Sequence, residues 1–66
     1  MLKRGARIEY TYAAGKVVAG RVLGAEKIPS YSGIGSELWY RTQLLDERGA
    51  FKGLVHSSQV RSIDNR

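Results

Sequence analysis

Apolar and polar residues alternate from Arg7 to Tyr12, with Ile8, Tyr10 and Tyr12 on one side of the chain and Arg7, Glu9 and Thr11 on the other. A period of two predicts a half-buried β-strand. Ala13-Ala14-Gly15-Lys16 supplies a turn, and the β-branched run from Val17 to Leu23 predicts the second strand of a hairpin. Pairing Tyr12 with Val18 and Ile8 with Val22 sets Tyr10 opposite Gly20, so that a ring covers the glycine while Arg21 points outward. Pro29 to Ser36 collects the single proline, two glycines and three serines, the composition of a long loop. Alternation resumes from Glu37 to Leu45, with Tyr40, Thr42 and Leu44 inward and Trp39, Arg41, Gln43 and Leu45 outward. Asp46-Glu47-Arg48-Gly49 is a turn, and Ala50 to Val55 is the fourth strand. Pairing Leu45 with Ala50 brings Leu44 against Phe51, Thr42 against Gly53 and Tyr40 against Val55 on the inner face. On the outer face it sets Gln43 against Lys52, Arg41 against Leu54 and Trp39 beside His56.

His56-Ser57-Ser58-Gln59 has hydroxyls that cap one 3₁₀ turn, and Val60 to Ile63 forms a short last strand. Five strands joined by tight turns, with no helical periodicity, predict an all-β fold, a small five-stranded barrel or curled sheet with a 3₁₀ turn before its last strand. Residues 1–66 read as one domain, with 1–6 a basic N-terminal arm and 64–66 a charged tail. Tyr10, Tyr12, Tyr40 and Phe51 are the large rings expected to fill its core.

The succession Arg-Ile-Glu-Tyr, Gly-Arg-Val-Leu-Gly, Tyr-Arg-Thr-Gln-Leu-Leu-Asp-Glu-Arg-Gly and Ser-Gln-Val-Arg-Ser-Ile resembles the layout of small SH3-like barrels of the Tudor and KOW kind. The resemblance implies that Tyr40 to Gly49 is the third strand with its acidic turn, and that Ser57 to Ile63 is the 3₁₀ turn leading into the fifth. It also implies a binding module for nucleic acid or peptides rather than a catalyst. For a methyl-ligand cage this chain offers Trp39, Tyr31 and Tyr12 alone, short of the Tudor pattern. A plasmid-type dihydrofolate reductase is similar in outline, but its Val-Gln-Ile-Tyr motif has no counterpart in Phe-Lys-Gly-Leu-Val-His at 51–56.

Eleven basic residues against six acidic ones give a formal charge of +5 and a pI near 10.0. Such a balance favours polyanions. With no cysteine and a single histidine, disulfides and a thiolate or histidine metal site are excluded. Leu, Ile, Val and Phe make up 16 of 66 residues, enough for a folded core. No signal segment or membrane-spanning run is present, so the expected setting is cytoplasmic and away from membranes.

The strongest constellation is Arg21, Trp39, Arg41, Gln43 and Lys52 on the outer face of three neighbouring strands, where cations meet phosphates and an indole stacks on a base. Lys3, Arg4 and Arg7 add a basic arm. On this reading nucleic acid, DNA or RNA, is the partner, and charge reversal at Arg41 and Lys52 is expected to abolish binding. The alternative is protein interaction or homo-oligomerisation through Tyr31, Leu45 and Leu54, with Trp39 and Leu23 in the same apolar patch. An enzyme would need His56 with Ser57 or Ser58 and a carboxylate from Asp46, Glu47 or Asp64 to converge in a pocket. Gly33-Ile34-Gly35 lacks the rest of a phosphate loop. No catalytic residue and no cofactor is expected.

Overall fold

The computed structural model describes residues 2–63. β1 (Arg7–Tyr12), β2 (Lys16–Pro29), β3 (Ser36–Asp46), β4 (Gly49–His56) and β5 (Val60–Ser62) form one antiparallel sheet in the order β4-β3-β2-β1-β5. A 3₁₀ turn over Ser57–Gln59 precedes β5, and another over Ala13–Gly15 joins β1 to β2. The expected closure into a barrel is not made. The 3₁₀ turn carries the chain to β1, where β5 pairs over three residues with Ile8, Glu9 and Tyr10, and β4 stays as the opposite edge.

The β3–β4 register has the predicted pairs throughout, from Trp39 with His56 to Asp46 with Gly49. The two-residue turn is closed by the Arg48 amide donating to Asp46 Oδ1 at 2.8 Å. The β1–β2 register differs from the expected one by two residues. Tyr12 pairs with Lys16 because Ala14 and Gly15 adopt positive φ (70° and 74°) and turn the chain in three residues. A shift of two preserves the faces. It sets Tyr10 against Val18 and leaves Ile8, rather than a ring, opposite Gly20.

β2 also runs past the expected end at Leu23. The register shifts between Val22 and Gly24, so Leu23 is the extra residue of a β-bulge, and pairing with β3 resumes to Pro29 opposite Ser36. Since β1 reaches only to Arg21 and β4 only to Trp39, the outer end of this hairpin is a two-stranded ribbon extending beyond the rest of the sheet. The radius of gyration, 12.1 Å, accordingly exceeds the roughly 11 Å of a compact chain this long.

Ile8, Val18, Val22, Tyr40, Leu44 and Val55 form the buried core, with Leu2, Ala6, Tyr10, Tyr12, Leu38 and Val60 packed around it. Tyr10 and Tyr12 stack with ring centroids 5.8 Å apart and are only half-buried. Phe51, expected inside, is 42% exposed: it ends the row Ile8–Gly20–Leu44–Phe51 on the edge strand, where no further element covers it. Among the described residues Thr42 is the buried polar one, its hydroxyl donating to the Gly53 carbonyl at 2.8 Å. Thr42→Val keeps the shape and deletes the bond, so the expected loss is about 1 kcal/mol in a urea titration. An unchanged midpoint would show that the bond contributes nothing net.

Candidate nucleic-acid interface

Alternation and register together order the outer face into cross-strand rows. Lys52 on β4, Gln43 on β3, Arg21 on β2 and Arg7 on β1 are successive partners, one row across four strands. With neighbouring strands about 4.8 Å apart, this row is about 14 Å long. All four side chains are exposed. Arg7, grouped by charge with Lys3 and Arg4 but lying in β1, joins the row through its pairing with Arg21.

Lys3 and Arg4, in the N-terminal arm, precede β1 in a turn folded back on the sheet. The Ala6 amide donates to the Lys3 carbonyl at 3.0 Å and the Gly5 amide to the Val22 carbonyl at 2.7 Å. Leu2 donates its amide to the Tyr40 hydroxyl at 2.9 Å, and Arg21 Nη1 reaches the Gly5 carbonyl at 3.4 Å. The turn thus passes the end of the sheet, with Gly5 at Arg21 on the outer side and Leu2 at Tyr40 on the inner side.

The row beside that of Arg21 is Ala50, Leu45, Ala19 and Glu9. Between the two rows runs an open groove of about 410 Å³, with Arg7, Arg21 and Gln43 on one side and Ala19, Leu45 and Ala50 along its apolar floor. Leu45 is 60% exposed.

Arg41 and Trp39 stand apart from this row. Arg41 lies one row further out, over Gly24, with Nη1 3.0 Å from Glu26 Oε2. Its charge is therefore shared with an acid. Trp39 is half-buried, and its ring meets that of His56 edge to face, with centroids 5.0 Å apart at 86°.

Three more acids follow the same pattern. Glu9 holds Arg61 at 2.6 Å, Glu37 holds His56 at 2.5 Å, and Asp46 lies 4.0 Å from Arg48. Among the described residues Lys3, Arg4, Lys16, Arg21, Lys27 and Lys52 have no such acidic partner; of these, Arg21 and Lys52 stand in the row, Lys3 and Arg4 in the turn before β1, and Lys16 and Lys27 elsewhere on β2.

The residues assigned to a protein partner are separated by the fold. Leu45 is on the groove floor, Leu54 is 47% exposed opposite Arg41, and Leu23 is half-buried at the bulge. Tyr31 is fully exposed at the ribbon tip, together with Ile34, a residue that the loop composition gave no reason to single out.

The structure brings His56 together with Ser58, but the acid is Glu37. Ser58 sends its amide (3.1 Å) and hydroxyl (2.8 Å) to His56 Nδ1, so that nitrogen accepts and Nε2–H donates to Glu37 Oε1. His56 thereby caps the 3₁₀ turn through its ring, the task expected of the serine hydroxyls. Glu37 was legible as the diagonal neighbour of His56 in the predicted register. Asp46 serves the turn at Arg48 and Glu47 is exposed beside it, while Asp64 and the tail lie outside the described residues. No family model, no curated protein and no solved structure matches this chain.

Proposed function

We propose that this protein is a nucleic-acid-binding module that grips the phosphate backbone along Lys52, Gln43, Arg21 and Arg7, with Lys3 and Arg4 extending the contact. The observation that carries the reading is the row itself, three basic residues and an amide on four neighbouring strands of one sheet face. Phosphate contacts position a protein without reading sequence. With Trp39 outside the row, the binding is backbone-led and only weakly sequence-selective. We read the curled five-stranded sheet with its 3₁₀ turn as akin to the small SH3-like barrels, whose members are chiefly binding modules. A second, protein-directed reading is favoured by the exposed Leu45, Leu54 and Tyr31.

The test is fluorescence anisotropy with a labelled short duplex and the corresponding single strand at two salt concentrations. For three neutralised phosphates, raising salt from about 50 to about 200 mM should weaken duplex binding about fortyfold and single-strand binding about twentyfold. Absence of binding to both at the lower salt would overturn the proposal.

A further inference from the structure

The β2–β3 ribbon ends in a tip that carries two unburied apolar side chains: Tyr31 is 105% exposed and Ile34 82% exposed. The tip is also built to hold its shape. The Ser30 amide donates to the Gly35 carbonyl at 3.1 Å, the Gly33 amide to the Ser30 carbonyl at 2.9 Å, and the Ser30 and Ser32 hydroxyls are 3.1 Å apart. Gly33 and Gly35 take positive φ (84° and 72°), which favours glycine at both turns. An apolar contact held in this way loses little conformational entropy on docking.

Charge argues against a polyanion at this tip. Residues 28–36 contain no charged side chain; of the charged residues at the ribbon base, Glu26 is held by Arg41, Glu37 by His56, and Lys27, opposite Leu38, is exposed with no acidic partner among the described residues. The same neutrality lets the tip approach the groove, where a cationic segment would be repelled by Arg21. Once there, Tyr31 and Ile34 meet the apolar floor, and the tyrosine hydroxyl can accept from Arg21 or Gln43. At about 410 Å³ the groove is within the roughly 300–1,000 Å³ of sites that bury small ligands, room for one or two side chains.

We infer that the chain self-associates by docking the β2–β3 tip of one copy, through Tyr31 and Ile34, into the Ala19–Leu45–Ala50 groove of a second copy. Within one copy the two features lie at opposite ends of a single hairpin, about 30 Å apart at about 3.3 Å per residue from Leu45 to Ser36. Two hairpins lying antiparallel therefore place each tip at the other's groove. That two-fold exchange closes the assembly and buries the ribbons as well. Contact between tips alone would cover two side chains per copy, far short of the roughly 800 Å² per partner of a stable interface.

The experiment is sedimentation equilibrium from micromolar to near-millimolar protein, with no nucleic acid present, so its outcome is independent of the interface proposed above. The wild-type mass is expected to rise with concentration. Tyr31→Ser with Ile34→Ser removes the tip, and Leu45→Ser removes part of the groove floor; each alone should weaken association at least tenfold. Circular dichroism and melting temperature check that both remain folded, with Ala50→Gln as a second groove variant should Leu45→Ser melt early. An equimolar mixture of tip and groove variants should partly recover association, because one of the two contacts, the intact tip of one against the intact groove of the other, is restored in the mixed dimer. A wild type that stays monomeric, a tip variant that associates like wild type, or a mixture that recovers nothing would each overturn the inference.

Discussion

Gly20→Val is expected to leave the domain largely unfolded at 37 °C. A Cβ at residue 20 would lie 2.3 Å from the Gln43 carbonyl oxygen, 2.7 Å from Leu44 Cδ2 and 3.1 Å from Leu44 Cα. Two of those three atoms are backbone, so no rotamer change relieves the collision, and β2 and β3 must separate at the centre of the sheet. Ile8 and Leu44, the neighbours in the same inner row, are 0% and 1% exposed and have no room to yield. Overpacking a core costs about 1–3 kcal/mol where side chains can adjust, and a backbone collision belongs at or above the top of that range. At roughly 0.05–0.15 kcal/mol per residue a chain this long has only about 3–10 kcal/mol to lose. Gly20→Ala should show the same sign with a smaller effect. Gly53→Ala is the contrast, because its Cβ would meet only Leu44 Cδ1 at 3.6 Å, an ordinary contact. That variant should melt close to wild type or slightly above it, since alanine restricts the unfolded chain. Urea and thermal unfolding followed by circular dichroism check both; a Gly20→Val protein that melts within a few degrees of wild type would refute the packing argument.

Gly20 also marks where sequence reasoning stops. Strand alternation and the predicted pairing already put glycine on the inner face, but whether its partner was Tyr10 or Ile8 depended on how many residues the first turn used. That number was decided by Ala14 at φ 70°, a conformation its sequence does not advertise. The β3–β4 register was legible because Asp46 to Gly49 is a strong turn signal flanked by alternation on both sides. The outer half of β2 was not. Ala25, Glu26 and Lys27 are weak strand formers, and they are extended because β3 pairs with them after the bulge at Leu23. Barrel closure failed to follow from strand count, since it depends on whether two distant edges meet.

The candidate site divides along the same line. Arg21, Gln43 and Lys52 came from alternation and register. That Arg7 joins them required the β1–β2 pairing, and that Arg41 turns instead to Glu26 required the ribbon, which brings that acid within 3.0 Å. Neither is visible in composition or in any local motif.

Arg21→Glu with Lys52→Glu should therefore abolish tight nucleic-acid binding, whereas Arg41→Gln should weaken it by less than threefold. Each phosphate contact contributes a log–log slope of about −0.9 on duplex DNA, so at about 50 mM salt two lost contacts weaken binding by on the order of a hundredfold. The new carboxylates add repulsion to that loss. Charge reversal at Arg41 and Lys52, the pair suggested by alternation alone, removes only one member of the row and should cost less. The fold should survive the Arg21 and Lys52 changes, because both side chains are exposed and neither holds an acid among the described residues. Glu at residue 21 also stands directly opposite Arg7, an opposite-charge cross-strand pair worth roughly 0.2–1 kcal/mol. Affinity and stability are thus expected to move independently: a steep fall in anisotropy binding with a melting temperature held or raised. If the double variant binds within threefold of wild type, or if Arg41→Gln loses as much, the phosphates are held elsewhere on the surface. If instead both affinity and melting temperature fall together, the row is supporting the sheet rather than contacting a ligand. Only the first pattern, binding lost from an intact fold, is consistent with Arg21 and Lys52 serving a nucleic-acid backbone.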